Sequence, residues 1–250
     1  MIRWAFLDVG NILLDEDPIA YRCTRLHWEA VQRVQPDLTF LEFMAAREER
    51  SIEGLRWPLY EVVSALMDEA ACAEAWNVAE REIRGRYHEL SPVITGAREL
   101  VDRLASRFQL GLIANQGPEC RTLLDDLHLL GRFKVVTLSE EVGLFKPNPA
   151  LYLRALGDAG IDPSEGVMIG DRLDNDIEPA ATLGMATVWA RWAERKNKAW
   201  RPNDPDALAF RDSLERSTAQ SAGRYRGPRP SLVVDHLGEI DSETVANLRS

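Results

Sequence analysis

The stretch Ile2-Arg3-Trp4-Ala5-Phe6-Leu7-Asp8-Val9-Gly10-Asn11 decides how the rest of the chain is read. A short apolar run rich in aromatic and branched residues, closed by Asp and Gly, predicts a buried strand over 2–8 that carries a carboxylate at its end. Runs of the same kind recur at 109–113, 134–138, 166–170, 186–190 and 231–235. Amphipathic stretches with helical spacing lie between them, at 96–107, 118–130, 148–160 and 174–183. Strands that alternate with helices of this length predict an α/β fold with a doubly wound, Rossmann-like parallel sheet. In such sheets functional groups gather at the carboxyl ends of the strands.

One stretch breaks the alternation. Residues 18–88 show helical spacing, with Leu26, Ala30 and Val34 in one run and Val62, Ala65 and Leu66 in another, and no strand. This predicts an all-helical cap inserted after the first strand, with 1–17 and 89–250 forming the α/β core. A second irregular stretch, 192–230, is rich in Arg, Asp, Ser and Pro. It reads as a mobile loop with one helix near 204–219. Its basic run from Arg224 to Pro230 reads as a solvated loop, with an anionic ligand or a subunit partner, as in a homodimer, as the alternative.

The 250 residues carry a formal net charge of -10. An acidic chain is a poor partner for nucleic acid or an anionic membrane, so neither is expected. Any anionic substrate must be drawn in by a local positive site. The cysteines Cys23, Cys72 and Cys120 are scattered, which argues against a disulfide framework or a zinc site. There is no apolar run of membrane-spanning length and no secretory leader, so a soluble, cytoplasmic protein is expected. His88, His128 and His236 sit in no motif and read as structural.

Three predicted strand ends bring polar groups to one edge of the sheet: Asp8-Val9-Gly10-Asn11, Ala114-Asn115-Gln116 and Gly170-Asp171, with Asp174-Asn175-Asp176 just beyond. Gly143-Leu144-Phe145-Lys146-Pro147 lies between the last two. These are parts for phosphoryl transfer. Carboxylates with backbone oxygens hold a hard cation such as Mg²⁺. A lysine neutralises phosphoryl oxygens, and an aspartate can attack phosphorus.

On these residues the chain resembles the haloacid dehalogenase-like hydrolases, in the branch whose helical cap is inserted after the first motif. Four motifs match in order and at family-like intervals: Phe6-Leu7-Asp8-Val9-Gly10-Asn11-Ile12-Leu13, Leu112-Ile113-Ala114-Asn115, Lys146 before Pro147, and Ile169-Gly170-Asp171 with Asp176. The resemblance implies that Asp8 is the nucleophile and a metal ligand, and that Gly10 offers its carbonyl to the metal. It further implies that Asp171 is the direct acidic ligand and Asp176 an outer support. Asn115 would help hold the phosphate, and Lys146 would pair with both the phosphate and Asp8. The expected reaction is Mg²⁺-dependent hydrolysis of a small phosphorylated metabolite through an aspartyl-phosphate.

Two positions depart from the family pattern. Gly10 stands where its phosphatases usually carry a second aspartate that protonates the leaving group, and Ala114 where a phosphate-binding hydroxyl is usual. Asp15, Glu16 and Asp17 are candidate substitutes for the acid. A catalytically impaired protein that binds a phosphorylated ligand or a protein partner is the first alternative. A 2-haloacid dehalogenase is the second, set back because dehalogenases of the family need no metal and the pair Asp171 and Asp176 is not expected in one. Arg22, Arg25, His27, Arg47, Arg50, Arg56 and Trp57 offer cap groups for gripping a substrate.

Overall fold

A computed structural model of the chain describes residues 1–55, 57–191 and 198–249. In chain order the elements are β1 (Trp4–Leu7), α1 (Asp17–Val31), α2 (Phe40–Ile52), α3 (Pro58–Leu66), α4 (Glu69–Gly85), α5 (Tyr87–Leu90) and α6 (Ala97–Ala105). They continue with β2 (Gln109–Ala114), α7 (Pro118–Asp126), β3 (Val135–Leu138), α8 (Ser139–Val142), α9 (Pro149–Ala159), β4 (Gly166–Gly170) and α10 (Glu178–Thr182). Last come β5 (Ala186–Ala190), α11 (Pro205–Arg224), β6 (Leu232–Val234) and α12 (Ser242–Ala246). A π-helical turn, Leu173–Ile177, leads into α10. The chain divides into two compact units: 1–15, 92–199 and 225–250, and 16–91 with 200–224.

The first unit is built on a six-stranded sheet in the order β3-β2-β1-β4-β5-β6, parallel throughout. The strands are apolar on both faces, as expected of a sheet covered by helices on both sides. One face packs Phe6, Ile113 and Met168 against Leu151, Tyr152 and Ala155 of α9 and Ala180 of α10. The fit is close enough that a Cβ on Gly111 would come within 2.5 Å of the Phe6 ring. The order reverses direction at β1, whose Leu7 lies opposite Leu112 on one side and Ile169 on the other. The carboxyl ends of β1, β2 and β4 therefore finish side by side.

The second unit is helical. Pro18 and Pro58 start α1 and α3 at positions where a missing N–H costs nothing. Thr39 and Glu42 close a capping box on α2, and Asp68 caps α4. Its core joins Val31, Phe43, Val62, Val63 and Cys72. A second cluster joins Phe40 and Met44 of α2 to Phe210 of α11, with Tyr21, Trp28 and Trp200 around it.

The helix expected near 204–219 is present as Pro205–Arg224. One sequence-based expectation is corrected: 200–224 group with the helical unit and not with the α/β core, because Phe210 is fully buried against α2 and Arg216 pairs with Glu48 at 2.7 Å. The buried face of α11 is Ala207, Phe210, Ser213 and Ser217, which has helical spacing but little apolar content to advertise it. Several of the cations that the sequence offers for gripping a substrate are engaged inside the helical unit itself. Arg22 pairs with Glu82 at 2.6 Å, Arg25 stacks on Trp28 and Phe40 and pairs with Asp206, and Arg47 lies over the Phe210 ring. Arg56 lies outside the described residues.

Candidate active site

Asp8 follows directly on β1, and its N–H donates to the Ile169 carbonyl at 2.9 Å. This extends the β1–β4 ladder by one residue and sets the Asp8 side chain beside the end of β4. Asp171 follows β4, its main-chain carbonyl held by the Trp189 indole at 2.9 Å. Asp176 sits on the π-helical turn and is fully buried. It comes so close to Gly170 that a Cβ there would collide with its Cβ, Cγ and Oδ2. Glycine is thus a steric requirement at 170. Asp8, Asp171 and Asp176 each offer a carboxylate oxygen within 4.8 Å of the others.

Lys146 balances these acids. Its Nζ donates to Asp8 Oδ1 at 2.8 Å and to Asp176 Oδ1 at 2.7 Å, and its side chain is 2% exposed. Burial alone would lower the pKa of this lysine, but Asp176 and Asp8 raise it above its ordinary value, so it stays cationic. Burial pushes Asp8 well above the usual carboxylate range, against the pull of Lys146. Asp171 is raised to about 6, by burial first and by the negative charge of Asp176 second. Burial and mutual repulsion disfavour the ionised form of these carboxyls, and a cation bound among them would restore it. Three oxygen donors this close suit a hard divalent ion. Asp176 has its Oδ1 on Lys146 and its Oδ2 on the Arg172 N–H at 2.9 Å, which leaves Asp8 and Asp171 the better placed to touch an ion directly.

Asn115 clamps the main chain at the third motif. Its Oδ1 accepts from the Lys146 N–H at 2.7 Å and its Nδ2 donates to the Lys146 carbonyl at 3.2 Å. The sequence suggests a phosphate-binding role; the structure adds a scaffolding one, which among the described residues engages one of the two amide hydrogens. Gly10 lies in the tight turn after Asp8, closed by the Asn11 N–H on the Leu14 carbonyl at 2.7 Å. Asp174 is no part of the carboxylate group; it pairs with Arg172 at 2.6 Å. Asp15 is buried and paired with Lys198 at 3.3 Å, while Glu16 and Asp17 start α1 in the other unit.

Two residues escaped sequence reasoning. Asn11 takes a left-handed backbone, φ +57°, and its Nδ2 donates to Asp171 Oδ2 at 2.8 Å. Asparagine is among the few side chains that tolerate this conformation, so its presence after Gly10 was a legible signal. Lys198 is 1% exposed and donates to Asn11 Oδ1 as well as to Asp15. It sits beyond the end of β5, in a basic run that carries no motif.

Residues 12–190 match the family profile of haloacid dehalogenase-like hydrolases. The chain belongs to this family. Among haloacid dehalogenase-like relatives, it is 42% identical over 141 residues to a glyceraldehyde 3-phosphate phosphatase of Methanopyrus kandleri, covering 56% of this chain and 58% of that one. It is 35% identical over 99 residues to a phosphoserine phosphatase of Thermus thermophilus, covering 39% and 37%. The matched part thus spans about half, or less, of these curated relatives. A putative hydrolase of the family from Bacillus subtilis, solved bound to magnesium, superposes with a TM-score of 0.60 at 20% identity over 96% of both chains, which shows a shared fold. Among the described residues no helix is long and apolar enough to cross a membrane.

Proposed function

We propose that this chain hydrolyses a phosphate monoester of a small metabolite, with Asp8 as nucleophile and Mg²⁺ as cofactor. The observation that carries the reading is the Lys146 ammonium, held 2.8 Å from Asp8 and 2.7 Å from Asp176 beside an Asp171 carboxylate that can share a cation with both. Asp8, the Gly10 carbonyl and Asp171 would hold the ion, with Asp176 in support through Lys146 and the Arg172 amide. When bound, Mg²⁺ supplies positive charge that screens the phosphoryl oxygens from the attacking carboxylate. An Asp8 oxygen bonds to phosphorus as the ester P–O bond breaks, which gives an aspartyl-phosphate, and the departing alkoxide leaves as the alcohol by taking a proton from solvent. A water then attacks that phosphorus, loses its proton to solvent, and releases phosphate and free Asp8. Lys146 neutralises the phosphoryl charge in both steps, and the remaining Asn115 amide hydrogen holds a phosphoryl oxygen.

Glyceraldehyde 3-phosphate, phosphoserine and phosphoglycolate, taken from the names of relatives, form the first substrate panel. Phosphate release should require Mg²⁺ and fall by at least about 10³-fold in Asp8→Asn. Turnover that survives both changes would overturn the reading. A second reading is favoured by Gly10, which has no acid to protonate the leaving group, and by the engagement of Asp15 with Lys198. Loss of a general acid costs about 10²–10⁴ in rate. Binding of a phosphorylated ligand or a protein partner without turnover would establish that reading. Halide release without metal would instead mark a dehalogenase.

A further inference from the structure

Lys198 is a buried lysine that the proposed reaction does not use. Its ammonium contacts the Asn11 carboxamide oxygen and, at 3.3 Å, the buried Asp15 carboxylate. The Asn11 amide nitrogen in turn donates to Asp171 Oδ2 at 2.8 Å. A carboxamide has one accepting end and one donating end. An ammonium on one side and a carboxylate on the other therefore permit a single orientation: the flipped amide would set N–H against ammonium and oxygen against carboxylate. We propose that Lys198 is a positioning residue that fixes Asn11, and through it the Asp171 carboxylate, for Mg²⁺. The proposal rests on the metal-dependent reading of the site. Partners that orient a metal ligand from behind typically contribute about 10–100-fold to metal affinity.

Charge and position pull in opposite directions when Lys198 is removed. Lys198→Met alone deletes a positive charge near Asp171, which favours a cation, and it takes an ammonium partner from the buried Asp15 carboxylate. The pair Asp15→Asn with Lys198→Met deletes one charge of each sign and leaves the local balance intact. It isolates orientation from electrostatics and spares the fold a buried acid deprived of its ammonium.

The test is Mg²⁺ titration by isothermal calorimetry on the full chain without substrate. Wild type is compared with D15N/K198M, with Asn11→Gly, which tolerates the left-handed backbone, and with all three changes together. D15N/K198M and N11G should each weaken Mg²⁺ binding by about 10–100-fold. Combined, they should cost no more than about threefold beyond the larger single loss, because both act on one chain of bonds. A folded D15N/K198M protein with wild-type Mg²⁺ affinity would overturn the proposal, as would losses that multiply, or a wild type that does not bind Mg²⁺. A wild type that binds Mg²⁺ yet hydrolyses nothing would end the phosphatase reading alone, since the role of Lys198 is read from affinity.

Discussion

Gly170→Ala adds one methyl group at the most crowded point of the carboxylate site. The new Cβ would meet Cβ, Cγ and Oδ2 of Asp176 well inside the 3.0 Å that real Cβ atoms keep, while ordinary contact begins at 3.4 Å. Asp176 must then retreat by about 1 Å, since β4 is locked between β1 and β5 and cannot give instead. A retreat of that size breaks two charge-assisted bonds, the 2.7 Å contact from Lys146 Nζ and the 2.9 Å contact from the Arg172 N–H. Disrupting a buried, hydrogen-bonded ion pair costs about 3–5 kcal/mol. The variant should therefore unfold in urea at a clearly lower midpoint, with its extrapolated stability reduced by about that amount. The attribution is checked in an Asp176→Gly background, which removes all three colliding atoms. There the added methyl should cost less than about 1 kcal/mol. A Gly170→Ala protein within about 1 kcal/mol of wild type, or an equal loss in both backgrounds, would refute the steric argument.

Phe210→Ala, which empties the seat of α11 against Phe40 and Met44, should destabilise the helical unit by about 3–5 kcal/mol. Hydrogen exchange should then speed up in 205–224 before it does in the sheet. His27 is buried with its Nδ1 against the Cys23 carbonyl and its Nε2 without a hydrogen-bond partner among the described residues, and burial lowers its pKa. Below about pH 6.5 the unfolded chain takes up a proton that folded His27 refuses, so stability falls as pH drops toward the lowered folded value, by at most about 1.4 kcal/mol per pH unit. His27→Phe, which keeps a ring beside Trp76, should flatten that slope relative to wild type in urea titrations across this range.

The parallel sheet is legible because its strands are short apolar runs closed by polar residues, and the strand-end rule alone places Asp8 and Asp171 at one edge. Lys146 was legible only through its motif, because nothing about a lone lysine before proline announces burial. Lys198 was not legible at all. Its run of basic residues has the composition of a solvated loop, and burial there comes from Asp15 and Asn11, more than 180 residues earlier in the chain. The α11 helix was half legible. Its start near Pro205 followed from local signals, but its allegiance to the helical unit depends on Phe210 and the partly buried Leu214, a sparse apolar face. Asn115 shows a further limit: its motif named a ligand-binding role, and its second task, clamping the Lys146 backbone, required the fold.

The central place of β1 has a consequence for the order in which the molecule can be assembled. The strand that leads into Asp8 is made well ahead of both of its hydrogen-bonding neighbours, β2 and β4, which lie more than a hundred residues downstream. Pairings so distant in sequence close late and slowly. On a ribosome, the helices encoded by 17–85 can collapse onto one another while β1 is still waiting with its backbone groups unpaired. Asp8 acquires Lys146 and its fellow carboxylates only once residue 176 has emerged, while β5 and β6 are still to be made.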